Sequence, residues 1–298
     1  MTITAHGSRK SSSTFQVVIW LFVFICPCAA TSQEAAAEIR SAADIAEALA
    51  NPNASLAFLA FPIDYVQYDG DAPGASRQSA WRLSFQPSFP YPLNDSTNFF
   101  LRPLVPIFLD QPVPVVGDQT IGAEKFEGTG LQLGDIAFDA AIGRNFENGT
   151  VMIGGLVGTL PTATEDRVGL DQYLLGPEFF LGQATSWGFL GLLLTHQWDV
   201  AGEDSFDTSV TGGQYFYTVN LGNAWQIQAQ PTFSYNHEAE RGERWTLPLG
   251  LGVSKTILVG QNPWKFSLQY WHYVESPDTF GPEFQIRFQI APVLALPW

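Results

Sequence analysis

From Leu56 onward, apolar and polar side chains alternate with a period of two over unusually long runs. Trp225, Ile227, Ala229, Pro231, Phe233 and Tyr235 alternate with Gln226, Gln228, Gln230, Thr232, Ser234 and Asn236. Trp245, Leu247, Leu249, Leu251 and Val253 alternate with Arg244, Thr246, Pro248, Gly250, Gly252 and Ser254. Phe284, Ile286, Phe288, Ile290 and Pro292 alternate with Gln285, Arg287, Gln289 and Ala291. Strands of soluble proteins have about 5–6 residues, whereas a tilted strand needs about 9–11 to cross a bilayer. No later segment is apolar and long enough for a spanning helix, so the chain can enter a membrane only as a closed barrel.

The whole chain divides into twelve expected strands, 55–68, 80–91, 98–109, 131–145, 150–160, 172–182, 187–198, 208–220, 224–236, 244–257, 264–274 and 283–296. Their connections alternate long and short, as the outer loops and periplasmic turns of outer-membrane barrels do. The short ones (92–97, 146–149, 183–186, 221–223 and 258–263) are rich in Asn, Gly and Pro; the long ones hold most of the acid. With 14 basic against 29 acidic residues, the net charge of −15 is therefore mainly a property of one rim, and it excludes a nucleic-acid partner. Aromatic residues collect near strand ends, where interfacial girdles lie. The expected fold is an all-β, transmembrane, antiparallel up-and-down β-barrel of about 12 strands with a short N-terminal helix.

The N-terminus reads as an export address. Arg9 and Lys10 precede the apolar run Phe15–Ile25, and small residues follow through Ser32, the pattern of a cleaved signal peptide. Residues 1–32 are assigned to it, 33–52 to a short helical segment and 53–298 to the barrel. Both cysteines, Cys26 and Cys28, fall in the leader, so no disulfide holds the remainder. Residues 35–50 have helical composition and stop at Asn51-Pro52. This helix can plug the lumen or lie free beneath it. Trp298, with Leu296, Leu294 and Ile290 in the same parity, ends the last strand as a signal for barrel assembly would.

Asn51-Pro52-Asn53-Ala54-Ser55-Leu56, Phe61-Pro62, Leu133-Gly134-Asp135-Ile136, Gly158-Thr159-Leu160-Pro161-Thr162-Ala163-Thr164 and Val253-Ser254-Lys255 occur in this order. Together with Trp198-Asp199-Val200-Ala201-Gly202 and Ser276-Pro277-Asp278, they resemble a bacterial outer-membrane transporter group, often labelled neuromedin U. That group is similar to the MetA-pathway of phenol degradation family. The resemblance runs from Asn51 to Phe288 and implies an outer-membrane barrel with an uptake role. The segment 115–126 reads as an addition within a loop.

If the apolar parity faces lipid, the lumen receives Arg82, Arg102, Asp135, Asp139, Glu178, Gln226, Gln228, Gln230, Lys265 and Arg287, with Gln86, Gln214, Arg244, Gln285 and Gln289. Opposed charges across a pore polarise permeants, and the many amides point to neutral or zwitterionic solutes. Passive or facilitated passage of small molecules is the expected function. The alternatives are a hydrolase with a His–carboxylate site at the outer rim, or a structural barrel. Three pairs carry the hydrolase reading: His196 with Asp199, His237 with Glu238, and His272 with Glu275, with Ser234 or Ser276 as nucleophile. No nucleophile elbow and no metal-ligand spacing accompany them, and no cofactor is implied. The expected partners are outer-membrane lipid and lipopolysaccharide, the barrel-assembly machinery through the C-terminal strand, and a small-molecule permeant.

Overall fold

The computed structural model describes residues 41–115 and 125–294. The expected signal peptide, the first part of the helical segment and the terminal Trp298 lie outside the described residues. The elements are helix α1 (Ala42–Ala48) and strands β1 (Ala57–Asp69), β2 (Ser79–Asn94), β3 (Thr97–Asp110), β4 (Pro112–Val115), β5 (Lys125–Gly128), β6 (Gln132–Leu133), β7 (Ile136–Asn145), β8 (Thr150–Leu160), β9 (Gln172–Thr185), β10 (Gly188–Gly202), β11 (Ser209–Gly222), β12 (Trp225–Ala229), β13 (Thr232–Asn236), β14 (Trp245–Val259), β15 (Asn262–Glu275) and β16 (Gly281–Leu294).

Each barrel strand pairs antiparallel with its neighbours, and β1 pairs β16, so the sheet closes on itself. Twelve staves result, because β12 and β13 together form one. The closing ladder sets Phe61 opposite Ile290, and Asp64 opposite Arg287. Closure leaves no edge with unpaired backbone groups, which a bilayer would not tolerate. β4 and β5 form a separate two-stranded ladder in the loop after β3, off the barrel wall; most of the expected addition at 115–126 lies outside the described residues. Phe126 of that ladder packs on Phe280, which also stacks on Tyr68.

The stave expected at 224–236 is interrupted. Pro231 has no N–H to give a ladder, and β14 pairs β12 only through Val253–Lys255 and β13 only at Trp245 and Thr246. Side chains of β11 span the gap. Tyr215 Oη donates to the Pro248 carbonyl at 3.1 Å, Tyr217 Oη donates to that of Gly250 at 2.8 Å, and Gln214 Nε2 donates to that of Gln230 at 2.7 Å. Backbone groups freed by the proline are thereby satisfied from the neighbouring strand.

The outer face is apolar along its middle. Leu192, Leu249, Leu251, Leu268 and Ile286 are exposed, the two on β14 by about 60%. So continuous an apolar surface suits lipid and not water. Exposed Trp81, Trp198 and Trp245 lie at the long-loop end, and Trp187, Trp225 and Tyr91 at the short-turn end, forming the two girdles.

Helix α1 begins with a reciprocal capping box: Ser41 Oγ accepts from Asp44 N at 3.2 Å, and Asp44 Oδ2 accepts from Ser41 N at 3.0 Å. It ends before Leu49, two residues short of the expected stop. The helix packs on β12, β14 and β15 inside the short-turn end. Gln226 Nε2 donates to the Ala46 carbonyl at 2.9 Å, one of the carbonyls a helix C-terminus leaves unsatisfied. The Asn51-Pro52-Asn53 stretch then anchors the chain to the turns: Asn51 Nδ2 donates to Asn145 Oδ1 at 3.1 Å, and Asn98 Nδ2 to the Asn53 carbonyl at 2.9 Å. Of the two expected positions, the described helix takes the one within the barrel.

Candidate functional site

The interior is polar only in part. Inward positions of β1, β2 and β16 bring Asp64, Arg82 and Arg287 together. Asp64 is fully buried and receives both Arg287 Nε at 2.7 Å and Arg287 Nη2 at 2.8 Å; Arg82 Nη2 stands 3.6 Å from the same carboxylate. The Arg287 guanidinium also lies over Trp271, 4.4 Å from the ring centre. Closure of the barrel makes this cluster, since Asp64 and Arg287 are 223 residues apart. The expected lumen set lacks Asp64; its only sequence signal is a lone carboxylate at the inward parity of an otherwise apolar strand.

A second cluster lies on β3, β7 and β9. Arg102 Nε donates to Asp139 Oδ1 at 2.9 Å. Glu178, 5% exposed, carries an Oε1 with no hydrogen-bond partner. Two arginines stand at one aspartate in the first cluster, whereas Arg102 pairs with Asp139 in the second.

Between the clusters is a cavity of about 370 Å³ whose walls include Arg82, Gln86, Arg102, Asp139, Gln214 and Arg287. Its apolar surface comes from Pro62, Leu104, Pro106 and Leu193. Of the expected lumen residues, Arg82, Arg102, Asp139 and Arg287 meet there.

The others are placed differently. Gln226 is spent on Ala46 and on Asn220 Oδ1, at 2.9 Å each. Gln228 is buried, and Gln230 sits at the break in the wall, where its N–H donates to Gln269 Oε1 at 3.2 Å. Lys265 points inward near the short turns, away from the cavity, on the parity of buried Ser267 and Gln269. Asp135 leaves the expected lumen set. Its carboxylate accepts the backbone N–H groups of Thr162, Ala163 and Leu170 at 2.8–3.0 Å, and so clamps a long loop. Arg244 is drawn to the same end of the barrel, donating to the Ala239 carbonyl and to Tyr235 Oη.

Toward the short turns on the β7 to β10 side, the interior is apolar. Ala141, Val151, Ile153, Phe180 and Phe189 form one buried cluster, against which Ala50, Leu193 and Phe216 pack. Phe180 and Phe189 stack in parallel, and Phe216 meets Phe180 edge-on. A Cβ on Gly182 or Gly191 would collide with the Phe180 ring, so these two glycines make room for it.

The histidines do not form the expected acid pairs. His196 lies on the outward parity of β10, against Trp198, and its Nδ1 meets Thr211 Oγ1 at 2.8 Å. Thr211 also meets His237 Nε2 at 2.8 Å. Asp199 instead accepts the Thr208 N–H. A threonine bridge between two outer-face imidazoles supplies no carboxylate to orient a base. Among the described residues, no group of three or more His, Cys, Asp or Glu side chains is placed to hold a metal ion. At the long-loop rim, the Ser205 backbone N–H bonded to Glu203 holds that carboxyl below its ordinary range, so it remains anionic.

No protein-family model matches the chain, and no curated protein does. Solved structures do. The fold is similar to that of an outer membrane channel from Pseudomonas putida F1, with TM-score 0.58 and 13% identity, covering 80% of this chain and 96% of that one. The NanC porin aligns with TM-score 0.49 and 8% identity over 80% of this chain and all of that one. The KdgM porin aligns with TM-score 0.41 and 10% identity over 80% and 99%. At these identities the channel from P. putida shows a shared fold: a closed antiparallel barrel of the outer-membrane type.

Proposed function

We propose that this chain is an outer-membrane barrel through which small molecules pass, passively or with facilitation. The observation that carries the reading is the charged cavity at mid-height of a closed barrel whose outer face is apolar. A barrel serving only as a structural wall gains nothing from a solvated cavity lined by three arginines, because unfilled interior space forfeits packing. The similar fold of the P. putida channel supports the same role, as does the sequence resemblance to the MetA-pathway of phenol degradation family.

In this reading the leader directs export, the short turns face the periplasm, and the anionic loops face outward among lipopolysaccharide. The C-terminal strand is then what the assembly machinery recognises. Helix α1 and the apolar cluster narrow the periplasmic end, so permeants leave past the N-terminal segment. Liposome swelling with the refolded protein tests the proposal. Solutes small enough for the cavity should swell vesicles faster than empty controls do, with a sharp size limit. Swelling equal to that of the controls for every solute would contradict it.

A further inference from the structure

Of the amides that suggest a neutral permeant, Gln226 is taken by Ala46 and Asn220, and Gln214 by the Gln230 carbonyl, while Gln86 lines the cavity. The charged side chains that line the cavity are three arginines and one carboxylate, Asp139. The side chains of Arg82, Arg102 and Arg287 are 34%, 16% and 14% exposed, against 17% for Asp139 and none for Asp64.

Arg82 is the least committed of the three. Its one described ionic contact is 3.6 Å from a carboxylate that already receives two hydrogen bonds from Arg287. A guanidinium has five N–H donors in a planar fork suited to carboxylates. Gln86 follows on the same face of β2 and also lines the cavity, while Leu104, Pro106 and Leu193 give it an apolar side. The volume lies at the small end of ligand pockets. Acidic loops at the rim do not cancel this preference, because fields from exposed charges fade over about 8 Å at physiological ionic strength.

We propose that the cavity is a binding station for small amphipathic monocarboxylates, with Arg82 and Gln86 taking the carboxylate and Leu104, Pro106 and Leu193 taking the apolar tail. The proposal deepens the passage reading and rests on it for its role in transport, though not for binding itself.

Three isosteric probes test it on the refolded protein in planar bilayers: hexanoate, hexanol and hexylammonium at equal concentration. Hexanoate should interrupt the current, with hexanol and hexylammonium much weaker. Arg82→Gln should weaken the hexanoate effect about tenfold or more, as loss of a charge-assisted hydrogen bond does. Arg241→Gln, on an exposed loop, should leave it unchanged. Equal effects of the three probes, or wild-type hexanoate block in a folded Arg82→Gln barrel, would overturn the proposal.

The Trp271 share of the fluorescence, taken as the difference between the wild-type protein and Trp271→Phe and recorded in vesicles with the same probes, separates the two readings. Trp271 lies under Arg287, beside the site. Hexanoate-selective quenching that Arg82→Gln abolishes, in a barrel that passes no current, would keep the station and reject the passage. The absence of selective quenching would reject the station, whatever the current.

Discussion

On the β1, β2 and β16 side, the barrel interior carries Asp64, Arg82 and Arg287 around a solvated cavity. On the β7 to β11 side, nearer the short turns, it carries Val151, Ile153, Phe180, Phe189 and Phe216 packed ring on ring. One closed wall holds both. The apolar sector is held by dispersion and exclusion of water, and it behaves as a core. The charged sector is held by paired ions whose hydrogen bonds are largely satisfied, and it leaves donors free for a solute. A barrel near twelve strands is wide enough that side chains need not fill it. The difference teaches that filling one sector stabilises the barrel while the other stays available.

The largest effect should come from the packed sector. Phe180→Ala removes the ring on which Phe189 and Phe216 pack and should destabilise the barrel by about 3–5 kcal/mol, read by urea unfolding in vesicles. Ion selectivity should not change. A selectivity shift would mean that the two sectors are not separate.

A smaller effect is expected in the charged sector. A double-mutant cycle on Arg102 and Asp139 should give a coupling of about 1 kcal/mol, because the pair is partly solvated and screened. Single-channel selectivity should change more visibly than stability. A coupling several times larger would place this pair with the packed core instead.

A comparable effect on stability is expected at the helix. Gln226→Leu removes the donor to the Ala46 carbonyl, a loss of about 1 kcal/mol. That should raise the frequency of conductance openings about fivefold, counted in single-channel records. Unchanged gating would show that Asn51 and Asn98 alone hold the segment.

The staves were legible because lipid on one side imposes a period-two code that survives for ten residues or more. The closed sheet and its alternating loops follow from that code. The apolar inner sector was not legible, because β9 reads Tyr-Leu-Leu and then Phe-Phe across both parities at Tyr173–Leu175 and Phe179–Phe180. Alternation vanishes where both faces are apolar. The His–acid pairs misled for a related reason. Residues i and i+3 of a strand point to opposite faces, so His196 and Asp199 are close in sequence and separated by the wall. Parity alone assigns Asp135 to the lumen, yet it lies before β7 begins, where its neighbours are loop amides. The same contacts explain why Leu133-Gly134-Asp135-Ile136 and the Pro161–Thr164 run occur together: one clamps the other.

Cysteine accessibility tests the division of the interior most directly. The chain beyond residue 32 contains no cysteine, so single cysteines can be introduced at Gln86, in the charged sector, and at Ile153, in the packed one. A charged methanethiosulfonate reagent added to open channels should reduce the current of Gln86→Cys within seconds to minutes and leave Ile153→Cys unchanged. Block at Ile153→Cys, or none at Gln86→Cys, would contradict passage through the charged sector.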